Sequence, residues 1–189
     1  MTGRPDWERL HATAVAQEGL FTVGQAEEAG YSAQLIVHHV KAGRMVRMGR
    51  GIYGLAQAAG DQQELVLAWL WSEQVGVVSH ATALALLGLS DVLPAQIHLT
   101  LPVAWRRRRL KRPDGVVLHH ADVPANERTW VGAAPVTGVR RTLIDCAGDG
   151  LSPELLRQAT SEALARGLVT REELGPVMDV LRPFGGLGV

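Results

Sequence analysis

Glycines cut the first sixty positions of this chain into pieces so short that they fit only a compact set of small helices and a hairpin. A helix over residues 6–18 carries Leu10, Ala14, Val15 and Trp7 on one face, has Asp6 and Glu8 near its start, and stops at Gly19. Phe21 and Thr22 form a short extended link. Thr22-Val23-Gly24-Gln25 then spells a capping box, a hydroxyl at the N-cap and an amide three residues on, and predicts a helix over 23–29 that ends at Gly30. Ser32 caps the next helix, about 33–42. At roughly 100° per residue, Gln34, His38 and Lys41 fall in one narrow stripe of it, and Leu35, Ile36, His39 and Val40 take the opposite side. Two short helices joined by a tight Gly30-Tyr31 turn, the second with a donor-rich face, make the pattern of a helix-turn-helix. Residues 45–48 and 52–55 read as strands around Gly49-Arg50-Gly51, a hairpin with a cation at its tip, which is the form of a wing.

Charge sharpens that reading. The 189 residues carry 19 basic and 19 acidic side chains, so attraction to a polyanion has to be local. Between Glu28 and Asp61 there is no acid, and Lys41, Arg44, Arg47 and Arg50 all lie inside that window. In a DNA-binding reading, Gln34, His38 and Lys41 meet the major groove while Arg44, Arg47 and Arg50 neutralise phosphates. His39 is assigned to the core. The same pattern also fits a winged helix that binds protein, with a solvated helix face and a solvated basic hairpin.

The remainder reads as helices around a small sheet. A capped apolar helix follows Asp61 and runs from Leu65 to Val75 with Trp69 and Trp71 in it; a second starts at Ser79 and stops at Gly88. Residues 96–101 and 116–120 alternate as strands, and 129–136 offer a third. Helices are expected at 137–148, 152–166 and 170–182, with Ser152-Pro153-Glu154 as a start and Gly167 and the tail 184–189 as stops. The class is therefore α+β: a winged helix-turn-helix over 1–58, then a helix-rich domain over 59–189 with a small, mostly antiparallel sheet.

Catalytic and metal signatures are weak. His80, His98, His119 and His120 are the residues for acid–base or metal work, but neighbours on a strand face opposite ways, so His119 and His120 cannot share a site. No HExxH, Walker loop, GxSxG or paired carboxylates accompany them, and the expectation is no enzyme, no metal and no cofactor. The single cysteine, Cys146, reads as a small buried hydrophobe. Arg106, Arg107, Arg108, Arg109, Lys111 and Arg112 lie between two predicted strands, as a solvated hairpin loop or as a contact for phosphates or a partner. Residues 1–7 lack the apolar core of a signal peptide, and no apolar run nears the ~20 residues that span a bilayer, so a cytoplasmic protein is expected.

Several segments resemble the AbiEi-type antitoxins of type IV toxin–antitoxin systems. They are Leu20-Phe21-Thr22, Ala29-Gly30-Tyr31-Ser32, the wing ending Arg50-Gly51-Ile52-Tyr53, Ser79-His80-Ala81-Thr82, Ile97-His98-Leu99-Thr100-Leu101-Pro102 and Arg141-Thr142-Leu143-Ile144-Asp145. Gly138-Val139 departs from the Ser-Pro usual there. The resemblance implies a winged helix followed by an antitoxin domain, repression at repeats in the protein's own promoter, and antagonism of a nucleotidyltransferase toxin without a stable complex. Two alternatives stay open. One is an enzyme acting on nucleic acid or on the toxin through the C-terminal domain. The other is a ligand-sensing winged-helix regulator without a toxin.

Overall fold

The computed structural model describes residues 4–58 and 60–187; the expected stop at the very end of the tail, Gly188-Val189, and the first three residues of the leader reading lie outside them. The chain forms two compact units, residues 1–74 with 132–134 and residues 75–131 with 135–189. The sequence reading places the boundary at 58/59. The structure places it after Gln74, because helix α4 (Gln63–Trp71) packs on two strands of the first unit.

In the first unit, α1 (Trp7–Val15) begins where Asp6 accepts from the Arg9 N–H at 3.0 Å. It leads through Gly19, at φ +83°, into β1 (Leu20–Thr22). A Cβ at Gly19 would sit 1.8 Å from the Ala58 carbonyl oxygen, so both the backbone angle and the space require glycine. The capping box of α2 (Val23–Glu28) is formed on both sides. Thr22 Oγ1 accepts from Gln25 N at 3.2 Å, and Gln25 Oε1 accepts from Thr22 N at 2.9 Å. Gln25 also exchanges hydrogen bonds with the buried amide of Gln17, which in turn accepts from Gln74. Ser32 caps α3 (Ala33–Lys41) through Leu35 N. The strands β2 (Met45–Gly49) and β3 (Ile52–Leu55) complete an antiparallel sheet in the order β1-β3-β2. Leu10, Ala14, Phe21, Ala26, Ile36 and Met45 fill the core between helices and sheet. The expected cap of α4 is not made: Gln62 stands at its N-cap with no side-chain bond.

The second unit holds β4 (Val77–Val78), α5 (His80–Leu86), β5 (Ile97–Leu101), β6 (Val116–His120), β7 (Arg128–Val131), β8 (Ala134–Thr137), α6 (Val139–Gly148), α7 (Pro153–Ala165) and α8 (Gly175–Leu181). The α+β class is borne out. Residues 128–137 make two strands where one was expected, with Gly132 at φ +60° between them. The second sheet, in the order β6-β5-β4-β8-β7, is mixed rather than mostly antiparallel. The β4–β5 pair is antiparallel, whereas β5–β6 and β4–β8 are parallel. Proline and glycine signals mark where the chain turns but not how far it travels before it pairs again. The connection over 102–115, which includes a 3-10 turn at Val103–Arg107, crosses back along β5 instead of folding as a hairpin. Leu84, Leu143, Cys146, Leu156, Leu174 and Leu181 form the helical core of this unit. Among the described residues no helix is long and apolar enough to cross a membrane.

Candidate nucleic-acid interface

Helix α3 buries Ile36 completely and half-buries Leu35, His39 and Val40, which leaves Gln34, His38 and Lys41 exposed together on its outer side. The predicted stripe thus stands clear of the core. Val37, which the sequence reading did not single out, is 48% exposed and lies about 60° from Gln34 on the same side. An exposed apolar group beside donors is what the methyl of a thymine would meet in a major groove. The signal was in the sequence, since a valine flanking the polar stripe has no place in the buried face.

The wing is built on the antiparallel β2–β3 pair, with Arg50 exposed at its turn and Gly51 at φ +73° next to it. A bulge between Arg47 and Gly49 twists the ribbon. Arg47 and Arg44 are also exposed. α3 packs directly against β2, so the stripe and the wing belong to one compact unit. Arg44 is engaged: its Nε–H donates to Nδ1 of His39 at 2.8 Å. His39, tilted against the Tyr31 ring, has its pKa lowered by burial first and by Arg44 and His38 next, so its ring stays neutral and can accept that bond.

Arg106, Arg107, Arg108, Arg109, Lys111 and Arg112 are all exposed in the second unit, on the connection between β5 and β6. The Arg108 guanidinium lies over the Trp105 ring, 3.7 Å from its centroid.

The histidines behave differently from the expectation. His119 and His120 do face opposite ways, but the parallel register sets His119 beside Thr100, diagonal to His98 and on the same face. His98 Nδ1 and His119 Nε2 lie 3.0 Å apart, and the His80 ring stacks on His119 at 3.5 Å between centroids. Sequence spacing could not show this, because it depends on β5 and β6 being parallel neighbours. His80 is 8% exposed and sits at φ +52°, a left-handed conformation that costs a residue with a Cβ on the order of 1 kcal/mol. Ser79 does not cap α5 as expected; its hydroxyl accepts from Thr100 Oγ1 at 2.7 Å and lies 2.8 Å from His80 Nδ1. Burial lowers the pKa of all three rings, that of His80 to about 3, while the carboxylates of Asp149 and Asp145 pull that of His119 partly back. Asp145 is held through Oδ1 by Arg141 Nε at 2.8 Å, and Arg141 also bonds Glu127 at 2.7 Å.

Exposed donors on α3 thus stand beside a cation on a twisted hairpin. Residues 8–56 match a family described as transcriptional regulators of the AbiEi antitoxin type. The AbiEi match runs from within α1 to just past β3, so it covers the whole helix-turn-helix and wing, and the resemblance read from the sequence is borne out there. A comparison with curated proteins finds no match. Among solved structures, the RV2827C protein from Mycobacterium tuberculosis is similar at a TM-score of 0.47 and 18% identity, over 93% of this chain and 80% of that one.

Proposed function

We propose that the chain is a DNA-binding autorepressor and the antitoxin of a type IV toxin–antitoxin system. In this reading it acts in the cytoplasm on repeats in its own promoter and counteracts a nucleotidyltransferase toxin without forming a stable complex with it. The observation that carries the DNA-binding part is the exposed stripe of Gln34, His38 and Lys41 beside the Arg50 wing, inside a stretch without acids. The family match over residues 8–56 supports the regulatory and antitoxin parts. Gln34, His38 and Lys41 read base edges and nearby phosphates; Arg44, Arg47 and Arg50 neutralise the backbone. The Arg106–Arg112 segment serves as a further phosphate or partner contact. No enzymatic step is assigned to the chain.

Mobility shift on the DNA upstream of the chain's own reading frame tests the first part. Arg50→Glu and Lys41→Glu each weaken binding; unchanged affinity in both rejects the assignment. Co-expression with an adjacent nucleotidyltransferase reading frame tests the second. Growth is restored by the full chain, and no restoration rejects the antitoxin reading while leaving DNA binding to stand or fall on its own assay.

A further inference from the structure

The geometry points to a binding site for one zinc-class divalent cation in the second unit, held by His80, His98 and His119. These three side chains come from α5, β5 and β6, and each offers one ring nitrogen, with those atoms all within 4.8 Å of one another. A tetrahedral zinc with bonds of 2.0–2.1 Å sets its nitrogens about 3.4 Å apart. The 3.0 Å between His98 Nδ1 and His119 Nε2 is already close to that edge. The rings of His80 and His119 are stacked, 14° from parallel, so they turn on binding for their in-plane lone pairs to meet at one ion.

The surroundings suit a cation. Ser79 Oγ, itself fixed by Thr100, lies 2.8 Å from Nδ1 of His80, a contact that orients the ring and leaves Nε2 for the ion. Asp145 is tethered by Arg141 through Oδ1, and its Oδ2 is buried with no hydrogen-bond partner. Asp145 and Asp149 both bear electrostatically on His119 and Arg141 bears on His80, so two carboxylates set against one guanidinium face the cluster where an ion would bring positive charge. Three imidazoles select zinc, copper, nickel or cobalt over magnesium or calcium, and three protein ligands leave a fourth position for water or a carboxylate. The strained backbone of His80 is consistent with a side chain kept in place for a purpose beyond packing.

The test is titration of the full chain, stripped with a chelator, with zinc chloride alone and with cobalt(II) alone. One ion binds per chain, cobalt gives the visible absorption of a tetrahedral nitrogen site, and both signals are lost in His98→Gln and in His119→Gln. His120→Gln, on the other face of β6, binds as the unaltered chain does, and Ser79→Ala binds about tenfold more weakly. Absence of stoichiometric zinc binding overturns the site, as does binding that persists in His98→Gln and His119→Gln. Ring-proton spectra of the unaltered chain decide the matter if those variants fail to fold. Zinc shifts the signals of His80, His98 and His119; signals that stay put overturn the proposal.

Discussion

Arg44 donates its Nε–H to Nδ1 of His39 across 2.8 Å, so the first arginine after α3 is braced against the helix it follows. That bond exists only while His39 is neutral. Burial, then Arg44, then His38 hold its pKa below 6.5, so folding favours the unprotonated ring. The brace is therefore present above pH 6.5 and is lost as pH falls through the lowered folded value. Ring-proton titration of His39 gives a midpoint below 6.5, and Arg44→Gln moves it part of the way back, since burial remains. A midpoint at or above 6.5 contradicts the arrangement.

Among the described residues Arg50 has no such tie. Arg50→Ala lowers the slope of log affinity against log salt by about one unit, weakens binding to all DNA sequences alike, and leaves the melting temperature unchanged. Arg44→Ala reduces the salt slope similarly but also loses a few tenths to 1 kcal/mol of stability with its hydrogen bond. Equal melting temperatures for the two variants would show that the brace contributes nothing.

In the proposed DNA complex Gln34 and Val37 address sequence rather than charge. Gln34→Ala costs about 1–3 kcal/mol at the cognate base pair and little elsewhere, with the salt slope intact. Val37→Ser removes the apolar surface offered to a thymine methyl and relaxes preference at one position. Selection of binding sites from random DNA reads both changes, and an unchanged consensus in both variants rules out base contact by this face.

Thr22 supplies the hydroxyl of the capping box at the entry to α2. Thr22→Ala destabilises the first unit by about 1 kcal/mol, measured by urea unfolding. Gln25→Ala costs more, because it also strips partners from the buried Gln17 amide.

Cys146 is buried in the helical core, and desolvation pushes its thiol up to about 12. Thiol reagents at neutral pH therefore modify the folded chain only as fast as it opens, and labelling accelerates sharply in denaturant. Rapid labelling of the native protein would show that the core around α6 is open.

The amino-terminal unit was legible because its signals are local. A Thr-x-x-Gln box, a serine cap, glycines at turns and a 3.6-residue stripe each act within a few positions, and α2 and α3 form close to where they were read, whereas α1 stops at Val15 rather than 18 and leaves Trp7 and Val15 exposed. The second unit depends on pairings between residues far apart in sequence. Nothing in Ile97–Leu101 or Val116–His120 says that the two strands run parallel, yet that choice alone sets His98 next to His119. The place of α4 was hidden for a related reason: its apolar residues lie all round the helix, so no face declares which strands it covers.

Because β6 runs alongside β5 in the same direction, the chain leaving Leu101 has to travel back the length of a strand before it enters at Val116. Five residues at about 3.3 Å make that distance roughly 17 Å. A hairpin's loop can be trimmed to a two-residue turn, but the stretch over 102–115 cannot, since a return path has a minimum reach whatever its composition. Exchanging a single arginine on it leaves that reach intact, whereas excising the segment would unpair an edge of the sheet and scatter the histidines that the pairing gathers.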